Sequence, residues 1–494
     1  MSTEITKIGI IQTAPLPGDF PNNLRAVVNG YRECIEHGAQ LVIAPACCIC
    51  GMEPGHLVLR RSFLEQTKRC LDTLSRELGS VPLLLGAYTR TIDEDALSVG
   101  VVAEDYDSET WAGKEIDVML SPFLVENGCI TELEATEGMT LGSQRFYIDT
   151  TEHEFLPEDD YDFLICLSDT PWYTTAAEDA EDLFEWSSSS TASTVICCRP
   201  VGTAGTNIYG GGSCVYAPNG QVILRLPYFE TAAQVVDLKR PKPVLNPPDS
   251  AELLCSALER GIRDTVRNNC FGGVCIPLDH KNSALLGVLC VEALGTSMVC
   301  GITFSGNEQL AEKLGITCYS PKLDKVLEAA TEAMGQEHEA ALRERLCTSI
   351  AMTYAESRGL LLCSPLDHQE IMLGEFLTYG LSGGYLAPLG NLYTIDTYIC
   401  ATVLEETNPD IFGAVLPPAD DSTDRIIHEL TDNNIAASAL LNPDTNYLFK
   451  ENKVRSIQRK LLMSAMKRTQ LPMMLNITPK MIQHHFPVSH RLND

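Results

Sequence analysis

A tetrapeptide with two potential metal ligands, Pro-Leu-Asp-His, occurs twice in the chain, at residues 277–280 and 365–368. Each copy follows a short apolar run typical of a buried strand, so each Asp-His pair is predicted at the carboxyl end of a strand. Four such side chains would suffice for a metal site if the two copies met. The alternative, which we favour, is two surface or interface turns in which proline rigidifies the strand exit. The candidate metal ligands are Asp279, His280, Asp367 and His368.

The cysteines are the second set of reactive side chains, and the chain has 19 of them. Cys47, Cys48 and Cys50 form one cluster inside an apolar run, and Cys197 and Cys198 form another. Neither cluster has the paired Cys-x-x-Cys spacing of structural zinc sites, so we interpret them as small buried hydrophobic residues. The chain opens directly into a strand-like run without a signal peptide. We therefore expect reduced thiols, no disulfides and a cytoplasmic location.

Length, composition and charge narrow the class of protein. The chain has 494 residues, which is more than a single hydrophobic core usually supports. Hydrophobic residues make up 45% of the chain and charged residues 21%, a composition that is ordinary for packed domains. The formal net charge of -30 opposes binding to a phosphate backbone or an anionic membrane. No apolar run reaches the ~18 residues that a membrane helix requires. These observations predict two sizeable soluble domains and exclude nucleic acid and membrane as main partners.

Two series of alternating strand and helix patterns would position these residues. From Lys7 to about Asp237, short β-rich runs alternate with longer amphipathic stretches, which indicates an α/β domain. A charged, proline-rich segment from Lys239 to Pro248 interrupts both periodicities, as a linker would, and places a boundary near residue 245. Beyond it, strands and helices alternate at the spacing of βαβ units on a parallel sheet.

Motifs along the chain resemble two known kinds of domain in a fixed order. In the first half, IGIIQTAPLPGDFPNNL and RPVGTAGTNIYGGGSCVYAPNGQVI resemble the opening strand and the later glycine-rich turns of nitrilase-superfamily amidase domains. The residues that carry this match are Gly18, Asp19, Asn23, Gly202, Gly211, Gly212, Ser213, Pro218 and Gly220. In the second half, RGIRDTVRNN, SALLGVLCVEALG, RGLLLCSPLDHQEIMLGEFLTYG and AMKRTQLP resemble the synthetase part of NAD synthetases.

The ordered set covers nearly the whole chain and resembles the glutamine-dependent NAD synthetases. The resemblance implies an α/β fold with a nitrilase-like α-β-β-α sandwich over residues 1–245. A Rossmann-like parallel-sheet domain of the ATP-pyrophosphatase type would follow over residues 246–494, with a C-terminal tail. Because the family builds large homo-oligomers, the resemblance also implies self-association.

For the amidase half, the resemblance implies a Cys nucleophile, a Glu base and a Lys that stabilises the oxyanion. The Glu normally follows a proline at the end of the second strand, where this chain has Ala46. The Lys normally precedes a Leu-Pro, but residues 118–122 read VMLSP, and Lys114 comes a turn or more too early. Cys166 holds the expected nucleophile position, followed by Leu167 instead of an acid. We interpret Cys166 as a buried, unactivated thiol, since one member of the triad alone gives little rate.

For the synthetase half, the resemblance implies a Ser-Gly-Gly-x-Asp-Ser loop whose backbone N–H groups cradle pyrophosphate. The run here is LDHKNS, in which only the final Ser283 agrees. Asp279 and His280 carry Cβ atoms where close approach needs glycine, and the metal-binding acid has become Asn282. Of the later Thr-Gly-Asn-Lys-Ser-Glu motif, only Glu370 remains. Because the two motifs face one ATP in the family, the two Asp-His pairs are expected to face one another in the crevice.

From these losses, the sequence predicts a protein that is not an enzyme, takes no cofactor and has no intact catalytic or nucleotide-binding residue. The vestigial positions are Ala46 and Cys166 in the first half, and Asp279, His280, Asn282, Ser283 and Glu370 in the second. A fold kept without catalysis favours a structural role as a large homo-oligomer or filament. The alternatives are a regulatory partner of an active NAD synthetase, and an enzyme with altered chemistry that uses Cys166 or the Asp-His pairs.

Overall fold

The computed structural model describes residues 4–90, 118–134, 138–150, 157, 159–174, 176–242, 244, 246–380, 383–413, 415, 417–418, 420–442 and 449–478. The chain divides into two compact units, one of residues 1–205 and 209–247 and the other of residues 206–208 and 248–494. The boundary expected near residue 245 lies three residues before Pro248. Within the described ranges, every helix is too short or too polar to cross a bilayer.

The first unit contains two six-stranded sheets. One runs in the order β14-β1-β2-β3-β4-β5 and is made of β1 (Lys7–Gln12), β2 (Leu41–Ile43), β3 (Leu83–Arg90), β4 (Val118–Glu126), β5 (Cys129–Glu132) and β14 (Ala232–Asp237). The other runs in the order β13-β12-β9-β8-β7-β6 and is made of β6 (Gly138–Leu141), β7 (Gln144–Asp149), β8 (Phe163–Leu167), β9 (Thr194–Cys198), β12 (Cys214–Tyr216) and β13 (Val222–Arg225). A separate pair joins β10 (Val201–Ala204) and β11 (Asn207–Gly210).

One apolar core holds the two sheets of this unit together. Side chains from both sheets, such as Ile10 and Ile165, are fully buried in the same cluster. The helices are α1 (Phe20–Glu36), α2 (Arg61–Glu77) and α3 (Ala176–Thr191). Helix α1 packs closely on β1, since a Cβ on Gly9 would lie 2.7 Å from the Cys34 sulfur. The arrangement is the predicted α-β-β-α sandwich.

The glutamine that ends β1 is tied to the Gly-Gly-Ser turn. Gly211 and Gly212 both have a φ of 65°, a left-handed conformation that glycine adopts without strain. The turn aims Ser213 at Gln12, whose Oε1 accepts hydrogen bonds from the Ser213 N–H (3.0 Å) and Oγ (2.8 Å). Motif residues 201 positions apart in sequence therefore meet in the structure.

The second unit is built on a four-stranded parallel sheet in the order β17-β16-β15-β18. Its strands are β15 (Val274–Pro277), β16 (Val299–Ile302), β17 (Thr317–Tyr319) and β18 (Leu361–Leu362), and a small parallel pair joins β19 (Leu386–Ala387) to β20 (Met473–Met474). The helices are α4 (Ser250–Asn268), α5 (Ser283–Leu294), α6 (Glu308–Leu314), α7 (Asp324–Met334), α8 (Glu339–Glu356), α9 (His368–Leu373), α10 (Thr394–Glu405), α11 (Pro409–Phe412), α12 (Ser422–Thr431), α13 (Ala437–Leu440) and α14 (Glu451–Arg468). The predicted order of strand, helix, strand and helix over residues 274–314 is confirmed, and the structure adds β17 after it.

The cysteines are mostly internal. All 19 lie in the described ranges, and within them no two are joined by a disulfide. Fifteen are buried, Cys318 and Cys347 are half-buried, and only Cys129 and Cys270 are exposed. Small, moderately apolar thiols are therefore used here chiefly as core residues.

Candidate active site

The carboxyl ends of β15 and β18 deliver the two Asp-His motifs to the same edge of the parallel sheet. After β15, Ser283 closes the turn into α5: its Oγ donates to the Pro277 carbonyl (2.8 Å) and accepts from the His280 N–H (3.0 Å). After β18, Asp367 caps α9 in a reciprocal capping box with Glu370. The Glu370 N–H donates to Asp367 Oδ1 at 2.9 Å, and the Asp367 N–H donates to Glu370 Oε2 at 3.1 Å.

Five side chains from these two turns form a connected polar group, the Lys281 cluster, made of His280, Lys281, Asn282, Asp367 and Glu370. The Lys281 ammonium lies 2.7 Å from Asp367 Oδ2 and 3.3 Å from Glu370 Oε1. His280 Nε2 lies 3.1 Å from the same Glu370 oxygen. The Asn282 amide donates to Asp367 Oδ2 (3.2 Å) and to the Pro365 carbonyl (3.1 Å). The two motif turns are thus joined by charged and hydrogen-bonded contacts.

The charged side chains of the Lys281 cluster differ in how deeply they are buried. The side chain of Asp367 is 1% exposed and that of Glu370 is 12% exposed, whereas that of Lys281 is 49% exposed. Burial alone would lower the pKa of Lys281, but the Asp367 and Glu370 carboxylates outweigh it and raise that pKa above its ordinary value. Burial likewise opposes ionisation of Glu370, but contacts with His280 and Lys281 hold its pKa below its ordinary value. The cluster therefore presents one fixed, solvent-facing cation above two buried carboxylates.

Asp279 does not join this cluster. It holds the turn after β16 by accepting hydrogen bonds from the Thr303 hydroxyl, the Phe304 N–H and the Ser305 hydroxyl, each at 2.6 Å. The Asp279 carboxylate therefore accepts hydrogen bonds from backbone and hydroxyl donors just after β16. Asp279 thus fixes that turn and does not face the second Asp-His pair, as the resemblance had led us to expect.

His368 points away from Asp367, into the core. The residue is 5% exposed, its ring lies 4.3 Å from the Tyr393 ring, and neither ring nitrogen has a hydrogen-bond partner among the described residues. Burial lowers the pKa of His368 to about 4, so the imidazole is neutral at pH 7. The four-ligand metal hypothesis is therefore wrong in its geometry, because the four candidate ligands do not converge. No group of three or more potential ligands of metal-site geometry occurs in the described part of the chain.

The amidase-like positions belong to the first unit. Ala46 is fully buried just beyond β2. Cys166, on β8, is also fully buried and belongs to an apolar cluster with Leu164, Phe184 and Tyr216. Cys166 thus lies in an apolar layer, and Lys114 falls outside the described residues.

A polar group near Ala46 escaped sequence reasoning. The Tyr209 hydroxyl donates to Glu53 Oε1 at 2.8 Å. Burial, and then the neighbouring Glu53 carboxylate, raise the pKa of Tyr209 above its usual range. Burial, and then the neighbouring Cys47, raise the pKa of Tyr88 in the same way, and Asp169 adds to this effect. In the sequence, this polar group could have been found from Asp169, a carboxylate just after the carboxyl end of β8.

Known proteins of similar sequence match residues of both units. The family model described as NAD synthase matches residues 254–413. The glutamine-dependent NAD(+) synthetase of Thermotoga maritima is 24% identical over 467 residues, which cover 79% of each chain. Over most of its length, the chain is therefore similar to glutamine-dependent NAD(+) synthetases. The NH(3)-dependent NAD(+) synthetase of Finegoldia magna is 29% identical over 164 residues, 31% of this chain and 68% of that protein.

Solved structures bear out the fold of the chain. A glutamine-dependent NAD(+) synthetase from Cytophaga hutchinsonii superposes with a TM-score of 0.82 at 14% identity, and 98% of each chain is covered. The corresponding protein from Acinetobacter baumannii gives a TM-score of 0.72 at 16% identity over 98% of each chain. The predicted fold class, a nitrilase-like domain followed by a parallel-sheet NAD synthetase domain, is confirmed.

One expectation from the sequence is overturned by these matches. The loss of motif residues led to the prediction that the chain is not an enzyme. The relatives from Thermotoga maritima, Synechocystis and Rhodobacter capsulatus, which match over 78–79% of the chain, are all named glutamine-dependent NAD(+) synthetases, and this points to an enzyme. Replaced motif residues alone were insufficient grounds for that prediction.

Proposed function

We propose that this chain is an enzyme with altered chemistry, which forms an amide on a nicotinate-containing adenine dinucleotide using ATP and free ammonia. The substrate class is that of its named relatives. The observation that carries the proposal is the Lys281 cluster, since it places a fixed cation at the carboxyl edge of a parallel sheet, where such folds bind their ligands.

Lys281 would replace the phosphate cradle that glycines supply in the resembled family. The turn after β15 carries Cβ atoms at Asp279 and His280, so close backbone approach to a pyrophosphate is restricted there. An ammonium that is half exposed and held by two carboxylates offers the positive charge instead. Because its pKa is raised, Lys281 serves as a cation rather than as a base or a nucleophile.

Free ammonia is favoured over glutamine because the first unit lacks an assembled amide-hydrolysing triad in its described part. Ala46 has no carboxylate, and Cys166 lies in an apolar cluster with Leu164 and Phe184. The NH(3)-dependent synthetase of Finegoldia magna, by its name, uses ammonia directly, and it is similar to part of this chain.

The proposed reaction has two balanced steps. The nicotinate carboxylate oxygen attacks the α-phosphorus of ATP, and pyrophosphate leaves. Ammonia then attacks the adenylated carbonyl carbon, loses a proton, and AMP leaves with the former carboxylate oxygen. A cation fixed beside the phosphates stabilises the charge that develops on the departing pyrophosphate.

The test is product formation with purified protein, the nicotinate dinucleotide, Mg-ATP and either ammonium chloride or glutamine. NAD formation with ammonium but not with glutamine is expected. Lys281→Met should lower kcat/KM by about 100-fold, the usual cost of one preorganised charge contact in a transition state. Lys322→Met, at an exposed lysine of the same unit, is the matched control. No product with either nitrogen source, or equal rates for Lys281→Met and the control, would overturn the proposal.

Self-association is a second candidate property, favoured by an uneven charge distribution. The chain carries a net charge of -30, yet α14 (ENKVRSIQRKLLMSAMKR) has six basic residues and one acidic residue. Of these, Arg455 and Arg459 are exposed and offer positive charge to acidic surfaces of other copies of the same chain. Light scattering on the full chain would test this, and a monomer at micromolar concentration in low and physiological salt would leave a heterologous partner, such as an active NAD synthetase, as the alternative.

A further inference from the structure

The carboxyl end of α9 is held by side chains of α14. The Met372 carbonyl is one of the last four of α9, which have no partner within the helix. It accepts hydrogen bonds from the Ser464 hydroxyl (2.7 Å) and from a guanidinium N–H of Arg468 (3.2 Å). Just past the helix, the Gly374 carbonyl accepts a hydrogen bond from the Lys467 ammonium at 2.8 Å. Helix α14 therefore supplies the polar groups that satisfy this helix end.

Lys467 makes the largest share of these contacts. Its ammonium also donates to the Phe376 carbonyl at 2.7 Å and lies 5.4 Å from the centre of the Phe376 ring. The residue is half-buried, and within the described ranges its hydrogen bonds go to these two carbonyl oxygens. A cation is favourable there, because the carboxyl end of a helix carries partial negative charge. Lys467 thus ties the end of α9 to the turn that follows it.

The two helices also approach each other closely. Gly374 ends α9 with a φ of 67°, and a Cβ at this position would lie only 2.6 Å from the Ser464 Cβ. Ile371 of α9 and Leu461 of α14 are buried in the same apolar cluster. Because the contact is tight and apolar as well as polar, α14 fixes where the carboxyl end of α9 lies.

Helix α9 is so short that its two ends cannot be placed independently. Its six residues span about 9 Å, which is less than two turns. Asp367 and Glu370, at its other end, are the two carboxylates that hold the Lys281 ammonium at 2.7 and 3.3 Å. A displacement of the carboxyl end of α9 is therefore passed on to the partners of Lys281.

We propose that Lys467 is a positioning residue, which holds the carboxyl end of α9 and so keeps Asp367 and Glu370 where they fix the Lys281 ammonium. The inference rests on the proposed function, in which Lys281 acts on the phosphates, and it adds a residue that acts through the others. Arg468 is 7% exposed and contributes to the same helix end, but a change at this buried cation endangers the fold. Lys467, which is half-buried, is the position to test.

A double-mutant cycle on NAD formation separates positioning from a general loss of structure. Lys467→Met should lower kcat/KM about tenfold, because small misplacements of a charge contact are costly in the transition state. In the Lys281→Met background the same change should cost less than about twofold, since the ammonium that it positions is gone. Lys467→Arg, which keeps a cation with several N–H donors, should recover most of the activity. Lys322→Met, at an exposed lysine of the same unit, is the control.

Two further readouts follow the position of α9 itself. Hydrogen–deuterium exchange without substrate should be faster in α9 of Lys467→Met than in α9 of the control. The acid limb of the pH profile of kcat/KM should also move to higher pH in Lys467→Met. The reason is that Glu370 then loses part of its contacts with His280 and Lys281, which hold its pKa below the ordinary value.

The outcomes are distinct. A loss that is confined to the background with Lys281, together with faster exchange in α9, supports the positioning role. Equal fold-losses in both backgrounds, or exchange no faster than in the control, overturn that role while the proposed function stands. An unaltered chain that forms no NAD from either nitrogen source overturns both. If Lys467→Met does not fold, Ser464→Ala, which removes one hydroxyl from the same helix end, enters the cycle in its place, with a smaller loss and the same dependence on Lys281 expected.

Discussion

Removing the Lys281 ammonium, as in Lys281→Met, should destabilise the second unit measurably. The change leaves Asp367, at 1% exposure, and Glu370, at 12%, without their cation. Breaking a fully buried ion pair costs about 3–5 kcal/mol, whereas an exposed pair contributes about 0.2–1 kcal/mol. Lys281 is 49% exposed, and Asp367 keeps its hydrogen bonds from Asn282 and the Glu370 N–H, so an intermediate cost of about 2 kcal/mol follows.

The pH dependence of this loss identifies its cause. The pKa of Glu370 is held below its ordinary value, so its contribution to stability is present above that value and is lost as the pH falls through the folded-state pKa. The pKa of Lys281 is raised, so its contribution persists until the pH rises through its own folded-state pKa. The gap between the unaltered chain and Lys281→Met should therefore be widest near neutrality and should narrow as the pH falls below the ordinary pKa of a glutamate.

Thermal unfolding at neutral and acidic pH measures both effects. A cost of about 2 kcal/mol corresponds to a fall in Tm of about 4–8 °C for a unit of this size. Lys322→Met controls for loss of a lysine at an exposed site, and Lys281→Arg, which keeps the charge, should recover part of the loss. The reasoning is refuted if Lys281→Met and the control have equal Tm values at neutral pH, or if the gap stays constant on acidification.

Three further predictions concern other buried groups. Burial, and then the neighbouring Glu292, raise the pKa of Glu259 to about 7, so the stability that its protonated form contributes is lost as the pH rises through that value. In denaturant unfolding between pH 4.5 and 8, Glu259→Gln should gain up to about 3 kcal/mol over the unaltered chain. A difference that does not depend on pH would contradict this. Because the pKa of His368 is lowered to about 4, stability is lost as the pH falls from about 6.5 toward 4. His368→Phe, which keeps an aromatic ring against Tyr393, should abolish up to about 3 kcal/mol of that loss. An unchanged acid limb of the stability curve would count against this prediction. Finally, the purified protein should release no more ammonia from glutamine than Cys166→Ala, and turnover that disappears in that variant would restore Cys166 as a nucleophile.

The sequence predicted elements and their order better than the directions of side chains. The parallel βαβ order follows from periodicity, and the turn motifs found by resemblance do lie at strand ends. Asp367 and His368 are adjacent in sequence, yet they diverge: Asp367 turns back to cap α9 while His368, at the first helical position, enters the core. Successive residues at a helix start point about 100° apart, so an Asp-His pair there cannot be assumed to act as one ligand pair.

Contacts between distant segments were beyond the reach of sequence patterns. The resemblance predicted that the two Asp-His turns face one another, but it did not indicate that Lys281 would pair with Asp367 across 86 residues. Cys166 illustrates the same limit on a strand: Ile165 and Leu167 enter the core between the sheets, and Cys166 faces the layer with Phe184. Strand alternation fixes that neighbours face opposite sides, but which side holds a site depends on the partner sheet.

The burial of most cysteines has a practical consequence for spectroscopy. Thiol-reactive dyes and spin labels react with the thiolate, and burial raises the pKa of Cys70 to about 11 and that of Cys34, also near Glu33, to about 12. The two exposed thiols, Cys129 and Cys270, lie one on each unit. The unaltered chain thus carries a ready-made pair of attachment points, and energy transfer or electron–electron dipolar coupling between probes placed there reports the distance between its two halves as substrates are added.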